Sequence, residues 1–185
     1  YYLTALVQTF GSVRKVAAVG SKSKEVRIIG SGPKAGEEFM VEVPTYVSAM
    51  AQFEGGQSSH SVFSFESPRV RMGFVEITGT EATISLPDPN FFDGDVKLWR
   101  AGDESWTTVP AAGPADGRGM GVLDMARSIR AGLPHRATGH LAYQVLDTMV
   151  AISESVDSGN FVDVESSAPT SPALPEDWDP TSATL

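Results

Sequence analysis

The order of two hydrophobic patterns is the feature that most constrains the fold of this chain. Short runs in which apolar and polar residues alternate fill residues 13–109, and such alternation is typical of strands that cover one face of a sheet. Two stripes with helical spacing follow, in residues 119–132 and 139–157. The connections between the strand-like runs are short, which favours antiparallel neighbours. We therefore expect an α+β fold, with an open, largely antiparallel or mixed sheet and helices packed on one face.

Helical stripes mark both ends of this pattern. The first ten residues carry apolar side chains at helical spacing, and Gly11 follows as a stop signal. The two later helices carry stripes of Val122, Met125, Ala126 and Ile129, and of Ala142, Val145, Leu146, Met149 and Val156. We expect both later stripes to pack in the core.

The charge is concentrated at the C-terminal end. The 185 residues carry a formal net charge of −9, which argues against a nucleic-acid or anionic-membrane partner. Residues 137–185 contain eight acidic residues and no Lys or Arg. Residues 166–185 are rich in proline and small polar side chains, so we expect a domain in residues 1–165 and a flexible acidic tail in residues 166–185. The alternative is that Trp178 anchors this tail on the folded body or on a partner.

No motif in the chain predicts a nucleotide or metal site. The glycine-rich residues 30–36 have the wrong spacing for a dinucleotide fingerprint, and Pro33 removes a backbone donor. The glycines of residues 117–121 open a helix but lack the preceding strand of a βαβ unit, and no Walker A sequence occurs. Cysteines are absent and the three histidines do not form a zinc motif. We therefore expect no cofactor-binding element and no metal site in this chain.

Three stretches resemble a known enzyme family. The opening YYLTALVQTFGSVRKVAA, the middle run VEITGTEATISLPDPNFFDGDVKLW and the closing GMGVLDMARSIRAGLPHRATGHLAYQVLDTMVAISES are similar to the C-terminal half of the glucose–fructose oxidoreductase, inositol dehydrogenase and MocA family. These stretches cover most of residues 1–165 in the order that the family shows. The resemblance implies a parent enzyme whose N-terminal Rossmann domain, absent from this chain, binds NAD or NADP. The start at Tyr1 without a Met fits the expectation that this chain is part of something longer.

The resemblance also implies positions for the site residues. The family has an Asp-x-Gly-x-His-x-x-Asp stretch at the junction of its two halves, and its His and last Asp fall on Tyr1 and Thr4. Both positions are therefore substituted, and a phenol, which ordinarily titrates near pH 10, is a poor base at neutral pH. Other substrate contacts in the family precede the Gly-Thr-Glu hairpin, where Arg69 and Arg71 alternate along a strand and are candidates to bind hydroxyls or a carboxylate.

Three functions follow as hypotheses. The first is the substrate-binding and oligomerisation half of an NAD- or NADP-dependent sugar or polyol oxidoreductase, inactive alone and located in the cytoplasm. The second is a non-catalytic binding or dimerisation module that self-associates through the open face of its sheet. The third is a free-standing hydrolase or lyase, which would need a pocket where His60, a tyrosine and carboxylates converge.

Overall fold

The helices and strands follow one another in the order that the hydrophobic patterns predict. The computed structural model describes residues 1–67, 75–110, 112–113 and 117–182. The elements in these ranges are α1 (Tyr2–Phe10), β1 (Val13–Ser21), β2 (Val26–Ile28), β3 (Glu38–Met40), β4 (Tyr46–Phe53), β5 (Ser58–Ser64), β6 (Val75–Thr78), β7 (Ala82–Leu86), β8 (Val96–Arg100), β9 (Thr107–Val109), α2 (Met120–Ala131), α3 (Gly139–Ser158) and β10 (Val162–Asp163). The expected α+β class is confirmed. Within these ranges, no helix combines the length and the apolarity needed to cross a bilayer.

The strands form three antiparallel sheets within the described ranges. The order of the first is β10-β1-β4-β5, the second pairs β2 with β3, and the order of the third is β6-β7-β8-β9. None of these sheets closes into a barrel. The turn predicted at Gly55-Gly56 connects β4 to β5, and Gly56 has a φ of 89°, a conformation that favours glycine.

The chain divides into two compact units. The first unit contains Tyr1–Thr9, Arg71–Ala142 and Thr170–Leu185, and the second contains Phe10–Val70 and Tyr143–Pro169. The first unit therefore holds the sheet β6-β7-β8-β9, and the second holds the sheet β10-β1-β4-β5.

One face of the sheet in the second unit forms an apolar core. Ala49, Ala51 and Phe53 of β4 are buried, whereas Met50 and Gln52 between them are exposed. This is the alternation that the sequence predicts, because successive side chains of a strand point to opposite faces. Val13 and Val16 of β1 and Ala151 and Ile152 of α3 are also buried in this unit.

The buried face of α3 is partly polar, and the expectation that its apolar stripe packs in the core is wrong for Leu146 and Met149. These two side chains are 52% and 48% exposed, whereas Gln144 is 0% and Ser155 is 1% exposed. The amide of Gln144 donates to the carbonyl oxygen of Val13 at 3.2 Å. The helix thus turns hydrogen-bonding side chains towards β1, because a buried backbone group without a partner is costly.

The stripe expected to be buried on α2 is exposed in the same way. Val122 and Ile129 are 74% and 65% exposed, while Asp124 and Ser128 are buried. The carboxylate of Asp124 forms an ion pair with the guanidinium of Arg136 and accepts the backbone N–H of that residue at 3.1 Å. A buried carboxylate needs such a partner, so this pair decides which side of α2 faces inward.

The C-terminal segment makes specific contacts with α2 within the first unit. The guanidinium of Arg127 donates to the carbonyl oxygens of Asp179 at 2.8 Å and Ser182 at 2.7 Å, and lies 4.7 Å from the centre of the Trp178 ring. The flexible tail stays a prediction. These contacts favour the alternative in which Trp178 anchors the tail on the folded body.

Candidate substrate-binding surface

The residues at the expected active-site positions lie at the start of α1. Tyr1 precedes the helix, is 74% exposed, and its carbonyl oxygen accepts the backbone N–H of Ala5 at 2.9 Å. Thr4 lies in the first helical turn and is half-buried. The two side chains are therefore carried at the start of the same helix in the first unit.

A carboxylate from the loop after β7 is fastened to this helical turn. The hydroxyl of Tyr2 donates to Oδ1 of Asp88 at 2.9 Å, and the backbone N–H of Asn90 donates to the same oxygen at 2.9 Å. The backbone N–H of Phe91 donates to the carbonyl oxygen of Asp88 at 2.9 Å. Residues 87–92, which we call the Asp88 turn, thus form a closed turn joined to the start of α1.

The protonation of Tyr2 favours this link. Partial burial, the hydrogen bond to Asp88 and the negative charge of that carboxylate all raise the pKa of Tyr2 above 10.0. The phenol therefore stays protonated and remains a hydrogen-bond donor at neutral pH.

Sequence reasoning missed Tyr2 and Asp88 as a pair. The residues are 86 positions apart, and no local pattern reports such a contact. The Pro-Asp-Pro-Asn sequence of residues 87–90 was the available signal for a turn, because Asp side chains accept hydrogen bonds from backbone N–H groups two residues on. The predicted substrate contacts Arg69 and Arg71 lie outside the described residues.

In the described part of the chain, the hydrogen bond of His60 does not form the pocket that the hydrolase hypothesis requires. Its Nε2 lies 2.9 Å from Oγ of Ser48, but both residues stand on the uncovered face of the sheet in the second unit. A groove of about 400 Å³ in the same unit is lined by Arg27, Phe39, Met40, Val41, Glu42, Val43, Pro44, Thr45 and Phe65. This groove contains neither a histidine nor a tyrosine.

Neither a cluster of metal ligands nor the setting of a dinucleotide fingerprint occurs at the positions considered among the described residues. No group of three or more His, Cys, Asp or Glu side chains in these ranges is arranged to hold a metal ion. The glycine-rich residues 30–36 connect the antiparallel strands β2 and β3, whereas a dinucleotide fingerprint connects a strand to a helix. This loop therefore does not fit a pyrophosphate.

The uncovered face of the sheet in the second unit carries a second candidate surface. Its exposed large apolar residues are Val19 of β1, Met50 of β4, Val62 of β5 and Phe161 before β10, with exposures of 67%, 54%, 51% and 65%. These residues come from neighbouring strands of one sheet. A sheet face that carries several exposed large apolar residues commonly marks an interaction surface.

Solved structures with the same fold are oxidoreductases about twice as long. An NAD-binding oxidoreductase from Klebsiella pneumoniae is 21% identical over 88% of this chain and 48% of its own, with a TM-score of 0.70. Levoglucosan dehydrogenase in complex with NADH and L-sorbose is 24% identical over 89% of this chain and 50% of its own, with a TM-score of 0.67. Aldose-aldose oxidoreductase from Caulobacter crescentus, in complex with glycerol, is 19% identical over 88% of this chain and 45% of its own, with a TM-score of 0.66.

These likenesses confirm the fold that the resemblance implies. The chain spans about half the length of each of these structures. No family model matches the chain, and no curated protein matches it either. At identities below 25% the shared property is the fold, and the chemistry has to be argued from the residues.

Proposed function

We propose that this chain is the substrate-binding and assembly half of a two-domain, NAD- or NADP-dependent sugar or polyol oxidoreductase of the glucose–fructose oxidoreductase, inositol dehydrogenase and MocA family. The observation that carries the proposal is that nearly nine-tenths of the chain matches about half of levoglucosan dehydrogenase, an enzyme solved with NADH and with NADH and L-sorbose together. The resemblance of three stretches in order supports the same family.

In such a parent enzyme, the cofactor and the residues of this half would have different roles. The nicotinamide cofactor exchanges a hydride with a carbinol carbon, and protein groups orient the substrate and move the hydroxyl proton. The residues in this half would bind and orient the polyol near the first turn of α1. Because Tyr1 and Thr4 replace the family's His and Asp, we propose that the proton is accepted by a group outside these two positions.

Two measurements test this proposal. Titration of the chain with NADH and NADPH, followed by fluorescence or calorimetry, should show no binding, because the glycine-rich loop lacks the required geometry. Micromolar affinity of this chain for either dinucleotide would show that the reasoning is wrong. The protein expressed from the complete coding sequence should reduce NAD or NADP in the presence of a sugar from a panel that includes levoglucosan and L-sorbose. A complete protein without such turnover would refute the oxidoreductase proposal.

A second candidate function, self-association, is favoured by the exposed apolar residues of the sheet in the second unit. We propose that two copies pair through this uncovered face, because an interface of this kind removes the apolar side chains from water. Light scattering at tens of micromolar should therefore report a dimer or a larger species. Met50→Asp should dissociate it, whereas Ser153→Asp, at an exposed position of α3, should not. A strictly monomeric wild-type chain would contradict this proposal.

Localisation in the cytoplasm remains part of the proposal. Its support is the absence of cysteines, which is compatible with a reducing compartment.

A further inference from the structure

The Asp88 turn is held by two hydrogen bonds that a single carboxylate oxygen accepts. Oδ1 of Asp88 accepts the hydroxyl of Tyr2 and the backbone N–H of Asn90, both at 2.9 Å. The first bond joins the turn to α1, and the second closes the turn on itself. The turn and the first helical turn of α1 therefore form one joined surface within the first unit.

Two aromatic rings project from this ordered turn into solvent. Phe91 and Phe92 are 50% and 54% exposed, and Tyr1 at the start of α1 is 74% exposed. Exposed large apolar residues are ordinary when they stand singly, but adjacent ones at an ordered position more often mark a binding surface. Some ligand or chain is therefore expected to cover these rings.

The mixture of groups on this surface fits a polyol. A sugar presents C–H faces, which pack on aromatic rings, and hydroxyl groups, which donate to carboxylate oxygens. Here Phe91 and Phe92 belong to the same turn as the carboxylate of Asp88.

We propose that the Asp88 turn is a polyol-recognition element of the substrate site, with Phe91 and Phe92 contacting the C–H face of the ligand and Tyr2 positioning the turn against α1. The inference rests on the proposed function and adds residues that neither the family motif nor the sequence pattern indicated. It assigns binding, rather than proton transfer, to the Asp88 turn.

The first test uses the isolated chain, labelled with ¹⁵N, and the probes levoglucosan and L-sorbose. The amide signals of Asp88, of residues 90–92 and of the first turn of α1 should shift in a saturable way, and dioxane, which lacks hydroxyl groups, should not shift them. The double variant Phe91→Ala, Phe92→Ala should lose the response. Tyr143→Ala, which removes an exposed aromatic ring 61% accessible in the second unit, should keep it. Shifts confined to the groove in the second unit, or no shifts at all, would overturn the inference.

Conservative variants separate positioning from a merely structural role. Tyr2→Phe keeps the ring but removes the donor to Asp88, so the affinity for the polyol should fall. Asp88→Asn keeps an oxygen that can accept from Tyr2, so the signals of the turn should stay where they are without ligand. An affinity unchanged in Tyr2→Phe would remove Tyr2 from the proposal.

The second test uses the protein expressed from the complete coding sequence. The Phe91→Ala, Phe92→Ala variant should raise the KM for the sugar about tenfold or more, since it loses apolar contact area. It should change kcat much less, because such contacts are made in both ground and transition states. If this variant turns over substrate with an unchanged KM, the inference about the Asp88 turn is wrong but the proposed function stands. If the complete wild-type protein shows no turnover, the proposed function is wrong.

Discussion

Replacing Ser155 by alanine should destabilise the second unit. Its hydroxyl is 1% exposed, accepts the backbone N–H of Ala18 at 2.8 Å and donates to the carbonyl oxygen of Asn160 at 2.6 Å. Strand β10 pairs with β1 only at Lys15 and Val16. Ala18 therefore lies beyond the end of β10, where α3 supplies its hydrogen-bond partner.

The size of the effect follows from these two bonds. A buried N–H left without a partner costs about 1–3 kcal/mol, and the lost bond to Asn160 adds about 1 kcal/mol. The better helix propensity of alanine offsets about 0.5 kcal/mol. We expect the free energy of unfolding to fall by about 1.5–3.5 kcal/mol and Tm to fall by about 3–14 °C for a chain of this size.

The assay is urea unfolding followed by far-UV circular dichroism, with Ser153→Ala as the matched control. Ser153 lies on the exposed side of the same helix, so its replacement reports the helix propensity without the buried hydrogen bonds. The m-value should stay constant, because the unfolded chain exposes the same surface. A difference between the two variants below about 0.5 kcal/mol would refute the assignment of Ser155 as a necessary partner of β1.

Further predictions concern the C-terminal segment in the first unit. Arg127→Ala should release the segment, because it removes the donor to the carbonyl of Asp179 and the cation above the Trp178 ring. The fluorescence emission of Trp178 should move to longer wavelength, and protease should cleave the C-terminal segment faster. Arg130→Ala, on the exposed side of α2, should change neither, and equal behaviour of the two variants would contradict the anchoring. The hydrogen bond from the hydroxyl of Thr181, with those from its neighbours, lowers the pKa of Asp179 from 3.8 to about 2. The local structure that this carboxylate stabilises should therefore be complete above about pH 4 and be lost as the pH falls through about 2. An NMR titration in which the amide of Thr181 responds near pH 4 would show that these bonds are not formed.

Much of the secondary structure was predictable from the sequence, because its determinants are local. The alternation of Ala49, Ala51 and Phe53 with polar neighbours predicts both the strand and its buried face. Gly132 follows α2 as its C-terminal cap with a φ of 66°, and Gly11 ends α1 in the way expected of a helix stop. Such signals depend on residues within a few positions of each other, so they are visible without the fold.

The sequence alone also indicated a class of function. The order of three short stretches resembles that of a known enzyme family, and the spacing of the glycines excludes a dinucleotide fingerprint in residues 30–36. The expectation that Tyr1 and Thr4 occupy the motif positions of that family also comes from the sequence alone, and it stays a prediction.

Only the tertiary structure decided which faces are buried and which distant residues meet. Hydrophobic spacing favours burial of Leu146 and Met149, but β1 needs hydrogen-bond partners, and Gln144 and Ser155 supply them instead. A helix turns its polar side inward when the neighbouring backbone groups would otherwise be buried without partners. The contact between Tyr2 and the Asp88 turn depends on chain segments far apart in sequence. Such contacts are properties of the packed chain, because no local pattern records which segments the fold brings together.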